Sequence, residues 1–180
     1  SGATSMSANV IIGEKAAMSA TTASYNTIIG HEAGYDVTTA TENTYIGYNS
    51  GRVNNASYNV FIGNGAGEFA TSTTLSTIVG RQAGGAAAMT GEGNTLLGYR
   101  AGYDLTSGHD NTFLGKLAAQ NVAGGTSAHR DSVVVGFKAL NTLSLKDCCK
   151  SDSTSCNSAL ASTVLVVSLY IFCNVISFCA

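Results

Sequence analysis

A chain of 180 residues has room for one folded domain with a sizeable core. Only 11% of it is charged against about 25% in a typical globular protein, while 44% is apolar, a balance that excludes intrinsic disorder. A formal net charge of −2 and a pI near 5.8 also remove the electrostatic basis for tracking a phosphate backbone, so no nucleic-acid partner is expected.

The chain opens at Ser1 with neither an initiator Met nor a signal-peptide pattern, which reads as a processed or partial chain. After a leading segment over 1–8, one phrase recurs through 9–143. It is clearest in Asn94-Thr95-Leu96-Leu97-Gly98-Tyr99-Arg100-Ala101-Gly102, whose residues are numbered 1 to 9 below. Position 1 is Asn9, Asn26, Asn43, Asn59, Ser76, Asn94, Asn111 and Ser132. Position 5 is Gly13, Gly30, Gly47, Gly63, Gly80, Gly98, Gly115 and Gly136, at intervals of 17, 17, 16, 17, 18, 17 and 21 residues. A fixed period of this size marks a solenoid or array.

Positions 2 to 4 are β-branched, aliphatic or aromatic, which favours a strand. Positions 2 and 4 share one face of that strand and position 3 takes the other. Both faces are apolar, so both call for cover: one from the solenoid's own interior, the other from outside it. The invariant Gly at position 5 fits a turn or a backbone approach that a Cβ would obstruct. Positions 6 and 7 are mostly polar and read as a solvated corner, and position 8 is always small (Ala or Ser), as expected where another segment packs closely. A shorter second strand is expected at Tyr35-Asp36-Val37, Glu68-Phe69 and Tyr103-Asp104-Leu105. Asn at position 1 fits either an amide ladder running from coil to coil or a simple turn former.

The predicted fold is all-β: a parallel β-solenoid of about eight 17-residue coils, on the order of 38 Å long at a strand spacing of about 4.8 Å. One coil buries too little apolar surface to offset the ordering of its own backbone, so stability must come from stacked neighbours, and the doubly apolar strand leads us to expect a contribution from further copies of the chain.

The phrase Asn-[Thr/Val/Ser]-x-Ile-Gly-x-x-[Ala/Ser], over residues 9 to 140, resembles the head repeats of trimeric autotransporter adhesins (YadA-like heads) and related phage-type fibre repeats. The resemblance implies a left-handed β-roll, a homotrimer winding about one axis, and an extracellular or cell-surface role as a structural or adhesive fibre segment with a host-surface or glycan ligand. The repeats are longer than the usual head repeat, and no heptad stalk, neck-like segment or outer-membrane anchor accompanies them.

Past the repeats lie a polar Cys/Ser-rich linker over 144–158 and an uncharged apolar tail over 159–180. As a helix, the 21 residues from Leu160 to Ala180 reach about 31 Å, enough to cross a hydrocarbon core of about 30 Å. Small residues at Ser151, Asp152 and Ser153 ahead of it also fit a glycolipid-anchor signal, and a misframed or chimeric terminus is the third reading. Either of the first two attaches the chain to a membrane. All five cysteines (Cys148, Cys149, Cys156, Cys173, Cys179) lie in this region, so the repeats do not depend on disulfides.

Chemistry is sparse. His31, His109 and His129 sit in corners or spacers without metal-ligand spacing, and no acidic pattern matches a calcium-binding roll, so neither metal nor cofactor is expected. Gly91-Glu92-Gly93 and Gly124-Gly125 precede strands rather than a helix, which argues against a phosphate cradle. Asn55-Ala56-Ser57 is an N-glycosylation sequon, meaningful only in a eukaryotic secretory setting. A left-handed β-helix acyltransferase wants an aliphatic at every sixth residue, but counting from Ile46 meets Arg52 and Tyr58, and from Ile62 meets Glu68 and Thr74. No residue is assigned to catalysis. Thr27, Thr44, Thr77, Thr95 and Thr112 could form the flat ladder of an ice- or carbohydrate-binding solenoid, although their strand face, shared with Ile and Leu, is expected to be buried. Binding specificity is expected in the variable corners, at His31, Tyr48, Arg81, Tyr99 and Arg100.

Overall fold

A computed structural model describes residues 6–86, 88–121 and 130–140. The segments assigned to the linker and the apolar tail lie outside those residues. Among the described residues no helix is long and apolar enough to cross a membrane.

The chain forms a parallel β-solenoid with one eight-stranded sheet in sequence order. The strands are β1 (Val10–Ile12), β2 (Thr27–Ile29), β3 (Thr44–Ile46), β4 (Val60–Ile62), β5 (Thr77–Val79), β6 (Thr95–Leu97), β7 (Thr112–Leu114) and β8 (Val133–Val135). Each is positions 2 to 4 of the phrase. Each pairs in register with the next, so Thr27 stands beside Thr44, Tyr45 beside Phe61 and Leu97 beside Leu114. Like positions therefore form columns along the solenoid, about 34 Å from first strand to last at about 4.8 Å per step. Intervals of 16, 17 and 18 residues between successive position-5 glycines leave this register unchanged, because the length difference is taken up in the arc away from the sheet.

Position 3 points into the solenoid. Ile28, Tyr45, Phe61, Ile78, Leu96, Phe113 and Val134 are buried and make the central column of the core, with Tyr45 and Phe61 stacked at 5.1 Å between ring centroids. Val37, Met89 and Leu105 close the core from the other wall. Burial raises the Tyr45 hydroxyl pKa well above its ordinary value, and that hydroxyl accepts a hydrogen bond from Asn54 Nδ2 at 3.1 Å.

The amide ladder at position 1 is present. Asn43 Oδ1 accepts from Asn59 N at 2.9 Å and Asn59 Nδ2 at 3.2 Å, while Asn43 Nδ2 donates to Ala56 O at 2.9 Å. Equivalent bonds join Asn9 to Asn26 and Asn94 to Asn111. Where Ser76 replaces Asn, its Oγ still accepts from Asn94 N at 3.0 Å. Buried backbone groups at the strand entrance are thus satisfied by side chains one coil away.

Position 5 forms a column of glycines with φ between 130° and 140°. A Cβ on Gly63 would stand 2.7 Å from the carbonyl oxygen of Gly80, and one on Gly47 would stand 2.6 Å from that of Gly63. Only glycine lets the coils approach this closely.

The expected second strand does not form. Tyr35 to Val37, Glu68-Phe69 and Tyr103 to Leu105 run through turns and their exits. Val37 N donates to Gly34 O and Leu105 N to Gly102 O, both at 3.0 Å, and these three-residue closures curl the backbone too tightly for an extended ladder. Val37 and Leu105 contribute apolar bulk instead. A further feature is the left-handed backbone at non-glycine residues: Lys15, Glu32, Asn49, Gln82, Arg100, Leu117 and Lys138 at position 7 all have φ between 53° and 61°.

Candidate functional site

Two surfaces arise from these columns. The first is the outer strand face, made by positions 2 and 4. One column runs Val10, Thr27, Thr44, Val60, Thr77, Thr95, Thr112, Val133; the other runs Ile12, Ile29, Ile46, Ile62, Val79, Leu97, Leu114, Val135. None of these side chains is charged. On the single chain this face is half-buried to open, with Ile12 58%, Leu97 42% and Val135 44% exposed. The threonines, expected to be buried, are not: Thr77 and Thr95 are exposed and Thr27, Thr44 and Thr112 half-buried. Alternation dictates this outcome, because once position 3 fills the interior, positions 2 and 4 must face away from it.

The second surface is the corner after the strand, at positions 6 and 7. In the first three coils it is a network of paired charges. Glu32 accepts from Lys15 Nζ at 3.3 Å and Arg52 Nε at 3.1 Å, and these cations, Arg52 foremost, hold its carboxyl below the ordinary carboxylate range. His31 stacks on Tyr48 at 5.3 Å with planes 7° apart and lies 4.0 Å from Glu14 Oε2. Its Nδ1 and the Oδ1 of Asn49 are buried without a hydrogen-bond partner.

Further along, the corner changes character. Arg81, Arg100, Lys116 and Lys138 place one cation in each of four successive coils. Tyr99 has three of them over its ring: Arg81 at 5.8 Å, Arg100 at 5.3 Å and Lys116 at 6.0 Å. Arg100 also lies 4.7 Å from the Tyr103 ring and donates from Nε to Gln82 Oε1 at 3.0 Å. Phe137 holds Lys116 at 5.6 Å and Lys138 at 5.3 Å. Asp104 feels the Arg100 charge, but desolvation outweighs it and raises the carboxyl pKa.

Of the five corner residues singled out in sequence, Arg81, Tyr99 and Arg100 come together, whereas His31 and Tyr48 form a separate pair nearer the N-terminus. Tyr103, Lys116, Phe137 and Lys138 complete the first group and were missed. Their signal is visible when the phrases are written in register, since Lys116 and Phe137 occupy position 6 and Lys138 position 7. The histidines do not converge: His109 lies before its strand, where Nδ1 accepts from Glu92 N at 3.3 Å, and His129 lies outside the described residues. Among the described residues no three of His, Cys, Asp and Glu gather as a metal site. The sequon residue Asn55 is exposed, with Oδ1 accepting from Thr38 N at 2.9 Å and Thr39 N at 3.1 Å.

These columns define the class of the protein: a repeat-built parallel β-solenoid. No protein family, curated protein or solved structure matches the chain.

Proposed function

We propose that the chain is a non-enzymatic structural and adhesive segment of an extracellular surface fibre. Copies associate through the outer strand face, as a homotrimer, and the C-terminal tail attaches the assembly to a membrane. The observation that carries this is the uncharged array of Val, Ile, Leu and Thr on eight in-register strands, several of its aliphatics more than 40% exposed on the single chain. A contiguous apolar surface of this kind marks an interaction site. The likeness of the phrase to adhesin head repeats adds the trimer and the surface setting.

Sedimentation of the full chain tests the association. The parent should run as an oligomer, and Ile46→Lys with Leu97→Lys should yield a folded monomer with an unchanged far-UV circular dichroism spectrum. A parent that stays monomeric and folded at micromolar concentration overturns the association.

The outward threonines support a second reading, an ice- or carbohydrate-binding face. Thr77 and Thr95 belong to a regular column beside an aliphatic one, an arrangement suited to a flat, ordered ligand. Thermal hysteresis, or glycan binding, that is lost on Thr95→Tyr while the sedimentation coefficient is unchanged would favour it over the fibre.

A further inference from the structure

We propose that the corner built from Arg81, Tyr99, Arg100, Lys116, Phe137 and Lys138 binds a linear acidic polysaccharide, one that carries carboxylate or sulfate groups on successive sugars. The proposal rests on the adhesive half of the function above and names the class of its ligand; it does not need the strand face to be covered.

Three observations carry it. The first is uncompensated charge. Among the described residues, ion pairs within 4.0 Å occur only in the first three coils, between Lys15 and Glu32, Arg52 and Glu32, and His31 and Glu14. The four cations of the later coils have no such partner, and positions 6 and 7 of those coils hold no acid. Asp104 feels the Arg100 charge without pairing with it, and a row of cations compensated no further, in a protein of net charge −2, is a local field suited to an anion.

The second is spacing. In-register stacking sets the coils about 4.8 Å apart, so the four cations form a row on the order of 14 Å long with one charge per coil. A linear polymer with a charge on each sugar meets such a row at several points at once. Several weak contacts on one chain add through effective concentration.

The third is the state of the aromatic rings. Three cations within 6.0 Å of the Tyr99 centroid and two within 5.6 Å of that of Phe137 occupy the ring faces. Nucleobase binding needs an open ring face for stacking. An acidic polysaccharide needs only to bring its anionic groups within reach of the cations, which does not require a free ring face. Gln82 holds the Arg100 guanidinium by its Nε at 3.0 Å, leaving the terminal nitrogens free to grip a carboxylate or sulfate in two-pronged fashion.

The test titrates the full chain with heparin (sulfate and carboxylate), polygalacturonate (carboxylate alone), neutral dextran and oligothymidylate. Binding to at least one of the acidic polymers and not to dextran is expected, with log affinity falling linearly in log salt. Arg100→Gln with Lys116→Gln should weaken binding about tenfold or more and lower the salt slope by about two, one for each cation removed. Lys15→Gln, which removes a cation already paired with Glu32, should change it less than about twofold. If the double variant loses its circular dichroism spectrum, the single variants Lys116→Gln and Lys138→Gln, at exposed positions, take its place. Binding that survives these substitutions, an equal loss in Lys15→Gln, equal binding of dextran, or oligothymidylate binding at least as tight as heparin each overturns the proposal. Sedimentation of the same samples separates the two ideas: an oligomer that ignores acidic polymers refutes this one alone, and a monomer that binds them refutes the association alone.

Discussion

Two glycines two residues apart, Gly63 and Gly65, should lose very different amounts of stability on the same substitution. In Gly63→Ala the new Cβ would lie 2.7 Å from Gly80 O and 2.8 Å from Gly80 C, both main-chain atoms that cannot rotate away. Its φ of +133° is also one that L-residues rarely adopt. Relief requires the coils to separate by roughly 0.7 Å to reach ordinary contact, which stretches the Gly80 N to Ile62 O bond of 2.8 Å and its neighbours. Backbone strain of about 1 to 3 kcal/mol and one or two weakened ladder bonds at about 0.5 to 1.5 kcal/mol each give a loss of about 1.5 to 6 kcal/mol. Gly65 has φ +64°, the conformation that Lys15, Glu32, Asn49, Gln82 and Arg100 adopt at the same position, and its Cβ would meet side-chain atoms alone, the flexible Glu68 carboxylate at 3.1 Å and Gln82 Cγ at an ordinary 3.6 Å. The left-handed cost of about 1 to 2 kcal/mol is partly offset by a less flexible unfolded chain, leaving about 1 kcal/mol. Urea denaturation of the full-length variants, followed by far-UV circular dichroism, compares them directly. Gly63→Ala within about 1 kcal/mol of the parent, or Gly65→Ala equally damaging, would refute the idea that close backbone approach fixes the glycine column.

Asn43→Ala leaves the buried Asn59 N–H without a partner and takes from the Ala56 carbonyl its 2.9 Å donor, leaving it the longer bond from Asn59 Nδ2 at 3.4 Å, and should cost about 1 to 3 kcal/mol in the same assay; Asn43→Ser, which keeps an acceptor as Ser76 does, should cost less. Glu32 has a lowered folded-state pKa, so its contribution to stability is present above the unfolded value and disappears as pH falls through the folded one. Thermal melts stepped from neutral pH into the acid carboxylate range should therefore show a stability loss that Glu32→Gln diminishes.

Much of this architecture is readable from residue order. The Gly period gives the coil length, and the apolar triplets ahead of it coincide with all eight strands. Alternation separates position 3 from positions 2 and 4, and the aromatic bulk of Tyr45, Phe61 and Phe113 fits the interior that these residues fill. Other features are hidden from pattern. Tyr35-Asp36-Val37 has the alternation of a strand, yet the turn closed onto Gly34 O overrides it. The left-handed conformations at Glu32, Arg100 and Leu117 carry no compositional mark, because contacts between coils rather than local preference impose them. The cationic corner was half visible: Arg81, Tyr99 and Arg100 stand out individually, but Lys116, Phe137 and Lys138 join them only through the columns that register creates.

The indifference of strand register to coil length separates two kinds of change. Residues at the strand and its closing glycine are locked to counterparts above and below, so a substitution there is felt by three layers at once. The outlying arc already differs by one or two residues between neighbours without displacing a single strand pair. Foreign peptides spliced into that arc, for example beside Ala86 in the 18-residue repeat, should be carried as passengers at regular height increments, which makes the molecule a graduated display rod.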